Sequence, residues 1–414
     1  MHLCLFEDAA VRHLEPLVLT RAAGDLRLGI RTLFEAQRAA FPHDGVVLHT
    51  RRLVADVTAQ EHPDATVNAL PDDHGGLLIV NARYRPEPGA LLERLRAAAE
   101  LGEPARAFVQ GDTLVAAWLP NPTATLLEGD AIGMDDLEGT ATETISGAQL
   151  VTYLWDLLDD VGGRIAQDVE ALGHRGHDGA TVHDGALLVN PNAIYLAPGA
   201  TVKPGAIVTA EHGPVYVGPG ATIFEGAVAK GPFYLGEKAQ LKMLSRIEES
   251  AVGPWSKVGG EVSASVVHSY ANKGHDGYLG NAYLGRWCNL GADTNTSNLR
   301  NDYGQVTLFD AVADTFLPSG RQFLGLVMGD HSKAGINTMF NTGTVVGVSC
   351  NLYGGGFAPR RVPSFSWGGW QDGGLVRYRL DKALRVAEAV MQRRNVPLTD
   401  ADRAMLAAIA GVDV

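Results

Sequence analysis

The chain contains few cysteines, and they lie far apart. Only three occur among 414 residues, at Cys4, Cys288 and Cys350. An odd number of widely spaced cysteines argues against a disulfide framework and against a zinc site built from thiolates. Neither kind of cross-link is therefore expected.

Long apolar runs and an export signal are also lacking. No segment reaches the roughly 18 consecutive apolar residues that predict a membrane-spanning helix. The N-terminal sequence MHLCLFEDAA lacks the basic stretch followed by an apolar one that marks a secretory signal peptide. These absences predict a cytoplasmic protein with no membrane partner.

Positive charge is in deficit. The chain has 34 Lys and Arg against 47 Asp and Glu, which gives a formal net charge of −13. Because such a chain repels phosphate backbones, a nucleic-acid partner is not expected. Small anionic substrates remain compatible with this charge, since a local cluster of arginines and backbone N–H groups can overrule it.

The first part of the chain has the pattern of an α/β domain. Its 414-residue length exceeds one ordinary core and predicts two or three domains. Short apolar runs alternate with helical patterns, which favours a parallel sheet. The predicted strands are Val46–His49, Leu77–Val80 and Leu114–Trp118, and the predicted helices are Leu28–Ala40 capped by Asp25, Gly89–Ala99 and Tyr153–Leu172. We expect residues 1–175 to form this domain, with the last helix as a linker.

The sequence pattern changes at about residue 180. The chain has 49 glycines, and most of this excess lies in the later part. An apolar residue, then usually Gly or Ala, then a small residue recurs with a period of six. Examples begin at Leu196, Val217, Leu235, Val252, Leu284 and Met328. This hexapeptide repeat predicts a parallel β-helix over residues 176–356, in which about 18 residues make one coil. Residues 299–325 interrupt it as a loop or hairpin, and 357–414 form an arm and short helices.

One block within the repeats is specific to a known family. The stretch from His275 to Asn298, with His275-Asp-Gly-Tyr278-Leu-Gly at its start, resembles the acetyltransferase half of the bifunctional enzymes that make UDP-N-acetylglucosamine. The resemblance implies a left-handed β-helix and an active site shared between the subunits of a homotrimer. It implies that His275 is the general base, and that Tyr278, Asn289 and Asn298 contact the sugar phosphate and the acyl donor.

The resemblance extends over nearly the full length to a divergent branch known as predicted sugar nucleotidyltransferases. It rests on the segments Pro16–Arg21, Asp25–Gly29, Asn289–Asn295, Gly329–Lys333, Asn341–Gly347 and Pro363–Gly368. It implies transfer of a nucleotide from UTP or dTTP to a sugar 1-phosphate, with Mg²⁺, and transfer of an acetyl group from acetyl-CoA to an amino-sugar phosphate. The product class is UDP-N-acetylglucosamine-like.

The residue types suit acyl transfer. A neutral imidazole can remove the proton of an attacking amine near neutral pH, and an amide or backbone N–H can stabilise the oxyanion. A second candidate is His331 with Lys333, in the sequence Gly-Asp-His-Ser-Lys. There the lysine could meet a phosphate, and a structural corner is an equally good interpretation.

The nucleotide-binding half departs from the family. The usual glycine-rich phosphate loop is reduced to the stretch 19–27, in which Gly24 is the only glycine. Arg21 and Arg27 are candidate phosphate ligands, with Asp25 between them. Asn81 stands where the family has a magnesium-binding aspartate and is a poor ligand, so Asp25 or Asp112 is the alternative metal ligand.

Three alternatives stay open on the sequence. One half alone could be active, or the chain could be a non-catalytic scaffold that binds sugar nucleotides. A zinc carbonic anhydrase on the same prism would need three gathered histidines. His268, His275 and His331 are available, but no closely spaced pair lies within the repeats.

Overall fold

The computed structural model describes residues 1–72, 74–100, 104–370 and 374–411. The chain divides into two compact units. Unit 1 consists of residues 1–26, 31–153 and 400–408, and unit 2 consists of 27–30, 154–399 and 409–414. The predicted domain boundaries at 175 and 356 are not tested by this division and stay a prediction.

Unit 1 is an α/β unit around one mixed sheet. Four parallel strands come first in the sheet, and the remaining strands add antiparallel and parallel pairs. In spatial order the strands are Thr66–Val67, Gly45–His49, His2–Phe6, Leu77–Asn81, Thr113–Leu119, Arg106–Gln110 and Ala141–Thr144. A small pair, Tyr84–Arg85 with Gln149–Leu150, lies outside that sheet. The helices are α1 (Leu33–Ala40), α2 (Arg52–Glu61) and α3 (Ala90–Glu100).

Helix α1 is shorter than the sequence pattern suggested. The prediction of a helix from Leu28 capped by Asp25 is wrong at its start. Thr32 is the N-cap, and it forms a capping box with Glu35, whose backbone N–H donates to the Thr32 hydroxyl at 3.2 Å. Because this reciprocal cap satisfies the first-turn N–H groups, the helix begins at Leu33.

Unit 2 is a parallel β-helix. Its short strands form stacked ladders in which one coil pairs with the next. One face carries, from first to last, Thr181–Val182, Thr201–Val202, Thr222–Ile223, Gln240–Leu241, Lys257–Val258, Asn272–Lys273, Asn289–Leu290, Lys333–Ala334, Asn351–Leu352, Ser366–Gly368 and the antiparallel Val376–Arg377.

The other ladders of unit 2 are arranged in the same way. Their strands are Leu187–Val189, Ile194–Leu196, Ile207–Thr209, Val215–Val217, Val228–Leu235, Arg246–Val252, Glu261–Ser263, Val266–Val267, Tyr278–Gly280, Tyr283–Leu284, Asn295–Thr296, Leu326–Met328, Met339–Phe340, Thr344–Val346 and Arg361–Val362. The antiparallel hairpin Thr307–Asp310 with Thr315–Pro318 occupies the predicted interruption.

The apolar residues of the hexapeptides form one interior column. Leu196 pairs with Val217, and the register continues through the later coils to Met328. All six predicted column residues are fully buried. Since burying one such side chain contributes about 1.5–3 kcal/mol, this column is a main source of the stability of the prism. The predicted fold class, an α/β unit plus a hexapeptide β-helix, is confirmed. Left-handed coiling is the handedness expected of hexapeptide repeats.

The glycines that follow the column residues allow neighbouring coils to approach closely. They do not adopt positive φ; a Cβ at Gly253 would collide with the main-chain carbonyl of His268. The coils therefore approach too closely for any side chain there. The left-handed conformation is adopted two residues later, and there even Trp255, Trp287 and His331 adopt φ near +60°.

Three helices complete the chain. Helix α4 (Val161–Leu172) begins later than predicted because Asp160, at φ +51°, caps it through the Gly163 N–H, after a separate turn at Leu154–Leu158. Helices α5 (Leu380–Gln392) and α6 (Asp400–Ile409) follow the arm, as predicted. Among the described residues, no helix has both the length and the apolar character needed to cross a bilayer.

Candidate active site

The geometry of one coil decides which predicted site residues can meet. Asn272 pairs with Asn289 on one face of the prism, 17 residues apart. Tyr278 lies on the next face, where its backbone N–H donates to the Asn295 side chain at 2.8 Å. His275 occupies the bend between these two faces. Residues six positions apart, such as Asn272 and Tyr278, therefore lie on different faces of the prism.

Tyr278 and Asn298 lie together in a polar cluster. The Asn298 amide donates to the Tyr278 hydroxyl at 3.0 Å and to the Asn281 side-chain oxygen at 2.8 Å. The Tyr278 hydroxyl is also 3.1 Å from the Ser263 hydroxyl. We call Ser263, Tyr278, Asn281 and Asn298 the tyrosine cluster. Its members come from successive coils, so their alignment follows from the stacking.

His275 is exposed, and the bend that carries it is held from inside the prism. The Lys273 ammonium donates to the carbonyls of His275 at 2.6 Å, Asp276 at 3.1 Å and Gly259 at 3.2 Å. Lys273 is buried, and that burial lowers the pKa of Lys273 to about 8. These three hydrogen bonds fix the main-chain segment that carries His275, the candidate base.

Lys273 was missed in the sequence, although a signal for it existed. It pairs with Val258 in a second interior column, whose other members include Leu241 and Leu290. A lysine at the interior phase of a hexapeptide repeat must bury its stem and find acceptors for its ammonium group. Reading the repeat phase through residue 273 would have singled it out.

Asn289 does not join the tyrosine cluster. Its side-chain oxygen accepts the Asn272 amide at 2.8 Å, and it lines a cavity of about 320 Å³ with Lys257 and Lys333. The structure therefore divides the four predicted residues into the His275 bend, the tyrosine cluster and the face that carries Asn289.

The second candidate pair, His331 and Lys333, lies on the same side of the prism as Asn289. His331 adopts φ +60° at a corner, and its ring lies parallel to that of Trp287 with centroids 6.2 Å apart. The Lys333 ammonium donates to the His331 carbonyl at 2.8 Å, and burial lowers the pKa of Lys333 to about 8. Asp330 accepts the Arg286 backbone N–H at 2.8 Å.

In unit 1, the predicted phosphate loop contacts an internal carboxylate. The Ala23 N–H donates to Glu7 at 2.6 Å, and Arg51 donates to both Glu7 oxygens and to the Arg21 carbonyl. Burial alone would raise the pKa of Glu7, but Arg51 and the backbone donors outweigh it and hold the pKa below its ordinary value. Glu7 follows the strand His2–Phe6, and sequence reasoning missed it because no motif marks it.

The two candidate arginines fall in different units. Arg21 is buried in unit 1, near Gly24, which is also buried. Arg27 is buried in unit 2, where its guanidinium bonds the Ile30 carbonyl and lies over the Tyr234 ring at 5.7 Å. These contacts are those that a structural arginine makes.

The candidate metal ligands are also separated. The Asn81 amide donates to Asp8 at 2.9 Å and its oxygen accepts the Arg83 N–H, so the whole amide group is used internally. Asp112 is exposed in a turn. Within the described ranges, one group has metal-ligand spacing: Asp25, Glu61 and His62, with Asp25 and His62 2.8 Å apart. Carboxylates suit Mg²⁺, whereas an imidazole suits transition metals better.

The fold and these sites define a class: an α/β nucleotidyltransferase-like unit joined to a hexapeptide β-helix. Residues 3–176 match the model of the sugar nucleotidyl transferase family. The bifunctional protein GlmU of Methanocaldococcus jannaschii is 37% identical over 90 residues, which is 22% of this chain and 21% of the relative. A bifunctional sugar-1-phosphate nucleotidylyltransferase/acetyltransferase of Sulfurisphaera tokodaii is 32% identical over 102 residues, 25% of each chain.

The matches confirm the predicted resemblance: residues 3–176 are similar to the sugar nucleotidyl transferase family, and about a quarter of the chain is similar to these bifunctional proteins. The chain spans only about a fifth to a quarter of the length of the curated relatives it matches. Among solved structures, the polySia specific acetyltransferase NeuO gives a TM-score of 0.28 at 12% identity, over 52% of this chain and 100% of that one.

Proposed function

We propose that the chain is a sugar-1-phosphate nucleotidyltransferase joined to an acetyl-CoA-dependent amino-sugar-phosphate acetyltransferase, acting in the synthesis of a UDP-N-acetylglucosamine-like nucleotide sugar. The observation that carries the acetyltransferase half is the tyrosine cluster next to the His275 bend. There the Asn298 amide donates to the Tyr278 hydroxyl at 3.0 Å and to Asn281 at 2.8 Å, which aligns the two residues that the resemblance implies contact the substrates.

In the proposed acyl transfer, the sugar amine attacks the thioester carbonyl of acetyl-CoA. The N–C bond forms while His275 takes the amine proton, the C–S bond then breaks, and the thiolate leaves with a proton returned from the imidazole. A backbone N–H would stabilise the oxyanion, since both N–H groups of the Asn298 amide are donated to Tyr278 and Asn281. Since Asn289 lies on another face of the prism, we propose that it acts at the edge of the site or from a neighbouring subunit.

For the nucleotidyl half, Arg21, Gly24, Asp25 and Arg27 remain the proposed contacts to the triphosphate. Mg²⁺ would enter with UTP or dTTP, and Asp25 in its group with Glu61 and His62 fits a divalent ion better than Asp112 does. The metal would neutralise phosphate charge, and the protein would orient the nucleotide.

A single active half is the second candidate, and two contacts favour it. Glu7 accepts the Ala23 N–H of the loop that would otherwise cradle phosphate. The Asn81 amide is committed to Asp8 and Arg83. On this alternative, unit 1 would bind a sugar or nucleotide without turning it over.

Mass spectrometry of products decides between these candidates. We expect incubation with acetyl-CoA, UTP or dTTP and a panel of amino-sugar and sugar 1-phosphates to yield both an N-acetylated sugar phosphate and a nucleotide sugar. An acetylated product without any nucleotide sugar would establish the single-activity alternative. Absence of both products, with every sugar tried, would contradict the proposal and favour a non-catalytic scaffold.

We further expect a homotrimer in the cytoplasm, where acetyl-CoA and nucleotides are at hand. Closed cyclic symmetry would let one subunit complete the site of the next, and the separation of Asn289 from the tyrosine cluster supports such a shared site. Light scattering should give three times the mass of the chain. A stable monomer at micromolar concentration would contradict both the trimer and the shared site.

A further inference from the structure

Unit 2 contains a cavity of about 320 Å³ between one face of the β-helix and the end of α5. Lys257, Asn289 and Lys333 line it from stacked strands, and Arg393 and Arg394 line it from the end of the helix. We call it the basic pocket. Its volume lies at the lower end of the range for small-ligand sites.

The charges in the basic pocket are all of one sign. Four of its lining residues are cationic and none is acidic. Within the part of the chain that the structure describes, none of these four forms an ion pair with a carboxylate. In a chain of net charge −13, such a concentration of uncompensated positive charge is a local exception.

The positive charges of the pocket repel one another. Burial lowers the pKa of Lys257, and the neighbouring charges of Arg394, Lys242 and Arg393 lower it further. The favourable position of arginines at a helix C-terminus explains their presence directly after α5. It does not explain the two lysines on the opposite wall, which repel them.

The polar groups of the wall are also arranged as donors. The Lys333 ammonium is held by the His331 carbonyl at 2.8 Å. The Asn289 oxygen is occupied by the Asn272 amide, which leaves the Asn289 N–H₂ group as a donor toward the pocket. Ammonium, amide and guanidinium donors converging on one cavity are the groups that bind phosphate.

We propose that the basic pocket binds a phosphate monoester dianion, through Lys257, Lys333, Asn289, Arg393 and Arg394. Two sources carry that chemistry: the sugar 1-phosphate and the 3′-phosphate of the acyl donor. The choice between these sources rests on the proposed function, whereas anion binding itself does not. The site would anchor a substrate at a group remote from the reacting centre.

The first experiment uses inorganic phosphate as the probe and the melting temperature as the readout. We expect phosphate in place of chloride to raise the Tm of the full chain. In the double variant Lys257→Gln/Arg394→Gln, the Tm in chloride should equal or exceed the wild-type value, because repulsion is relieved, and the phosphate shift should disappear. Lys382→Gln, which removes one positive charge from an exposed position on the same helix, is the control and should respond like the wild type. An undiminished phosphate shift in the double variant would overturn the proposal.

Titration calorimetry then separates the two sources. If the sugar phosphate is the ligand, the double variant should bind amino-sugar 1-phosphate at least about tenfold more weakly and bind CoA normally. If the acyl donor is the ligand, CoA should weaken to that degree while dephospho-CoA, already weak, stays unchanged. Normal binding of both ligands in the variant would reject the pocket.

The same measurements keep the two proposals apart. A wild-type chain without acyl transfer, whose phosphate response is nevertheless lost in the double variant, would retain the pocket and refute the proposed function. Acyl transfer with an unaltered phosphate response in the variant would do the reverse.

Discussion

Replacing His275 by alanine should reduce the turnover of acyl transfer by about 10²–10⁴-fold, the usual cost of removing a general base. The side chain is exposed, and within the described ranges its imidazole forms no hydrogen bond. Its loss should therefore leave the Tm, the trimer and the phosphate response of the basic pocket unchanged. Any nucleotidyl transfer should continue at nearly the wild-type rate, since His275 belongs to unit 2.

The matched control is His183→Ala, another histidine on the β-helix, which lies beside the strand Thr181–Val182 and should retain full activity. The measurement is kcat for acetylation, with saturating acetyl-CoA and amino-sugar phosphate. A His275→Ala enzyme that acetylates at close to the wild-type rate would remove the base from this bend. His331 would then be the next candidate, because it is on the side of the prism that carries Asn289 and Lys333.

The β-helix could be predicted because its sequence pattern is periodic. Leu196, Val217 and Leu235 occupy one phase of a six-residue repeat, and that phase maps directly onto one interior column. The six-residue period did not predict that Asn289 lies on a different face from the tyrosine cluster. Its distance from His275 in sequence was known, but which face each residue occupies depends on where the corners fall. The corners depend on the coil lengths, which vary: 18 residues separate Thr222 from Gln240, 15 separate Lys257 from Asn272, and 17 separate Asn272 from Asn289.

Unit 1 shows a different limit. Its strands could be read from apolar runs, so Leu77–Asn81 and Thr113–Leu119 were found to within a residue or two. Contacts between residues far apart in sequence could not be read. Glu7, which accepts the Ala23 N–H and pairs with Arg51, has no spacing signature. The interpretation of loop 19–27 as a phosphate cradle therefore missed the carboxylate that already accepts the Ala23 N–H of this loop.

Lys273→Met should produce the second large effect, because Lys273 holds the His275 bend in place and does not itself take part in the reaction. Methionine fits the apolar stem but leaves the carbonyls of Gly259, His275 and Asp276 without their buried donor. An unsatisfied buried group costs about 1–3 kcal/mol, and relief from burying an ammonium offsets part of this sum. We expect the unfolding free energy near pH 7 to fall by about 1–3 kcal/mol, and kcat to fall by roughly 10²-fold because the His275 bend is displaced. KM should change little, which separates a positioning role from a binding one.

The pH dependence of stability gives Lys273 a signature that a merely space-filling residue would lack. Its pKa is about 8 in the folded chain and near 10.5 when unfolded. Between these values the unfolded state holds one more proton, so Lys273 makes the unfolding free energy rise with pH, by up to about 3 kcal/mol. Lys333, whose pKa is also lowered to about 8, adds the same kind of slope to both proteins and cancels in the difference. Denaturant titrations should thus show the deficit of Lys273→Met widening from pH 8 to pH 10.5, whereas a constant deficit across that range would mean that the ammonium is not held in the buried state described here.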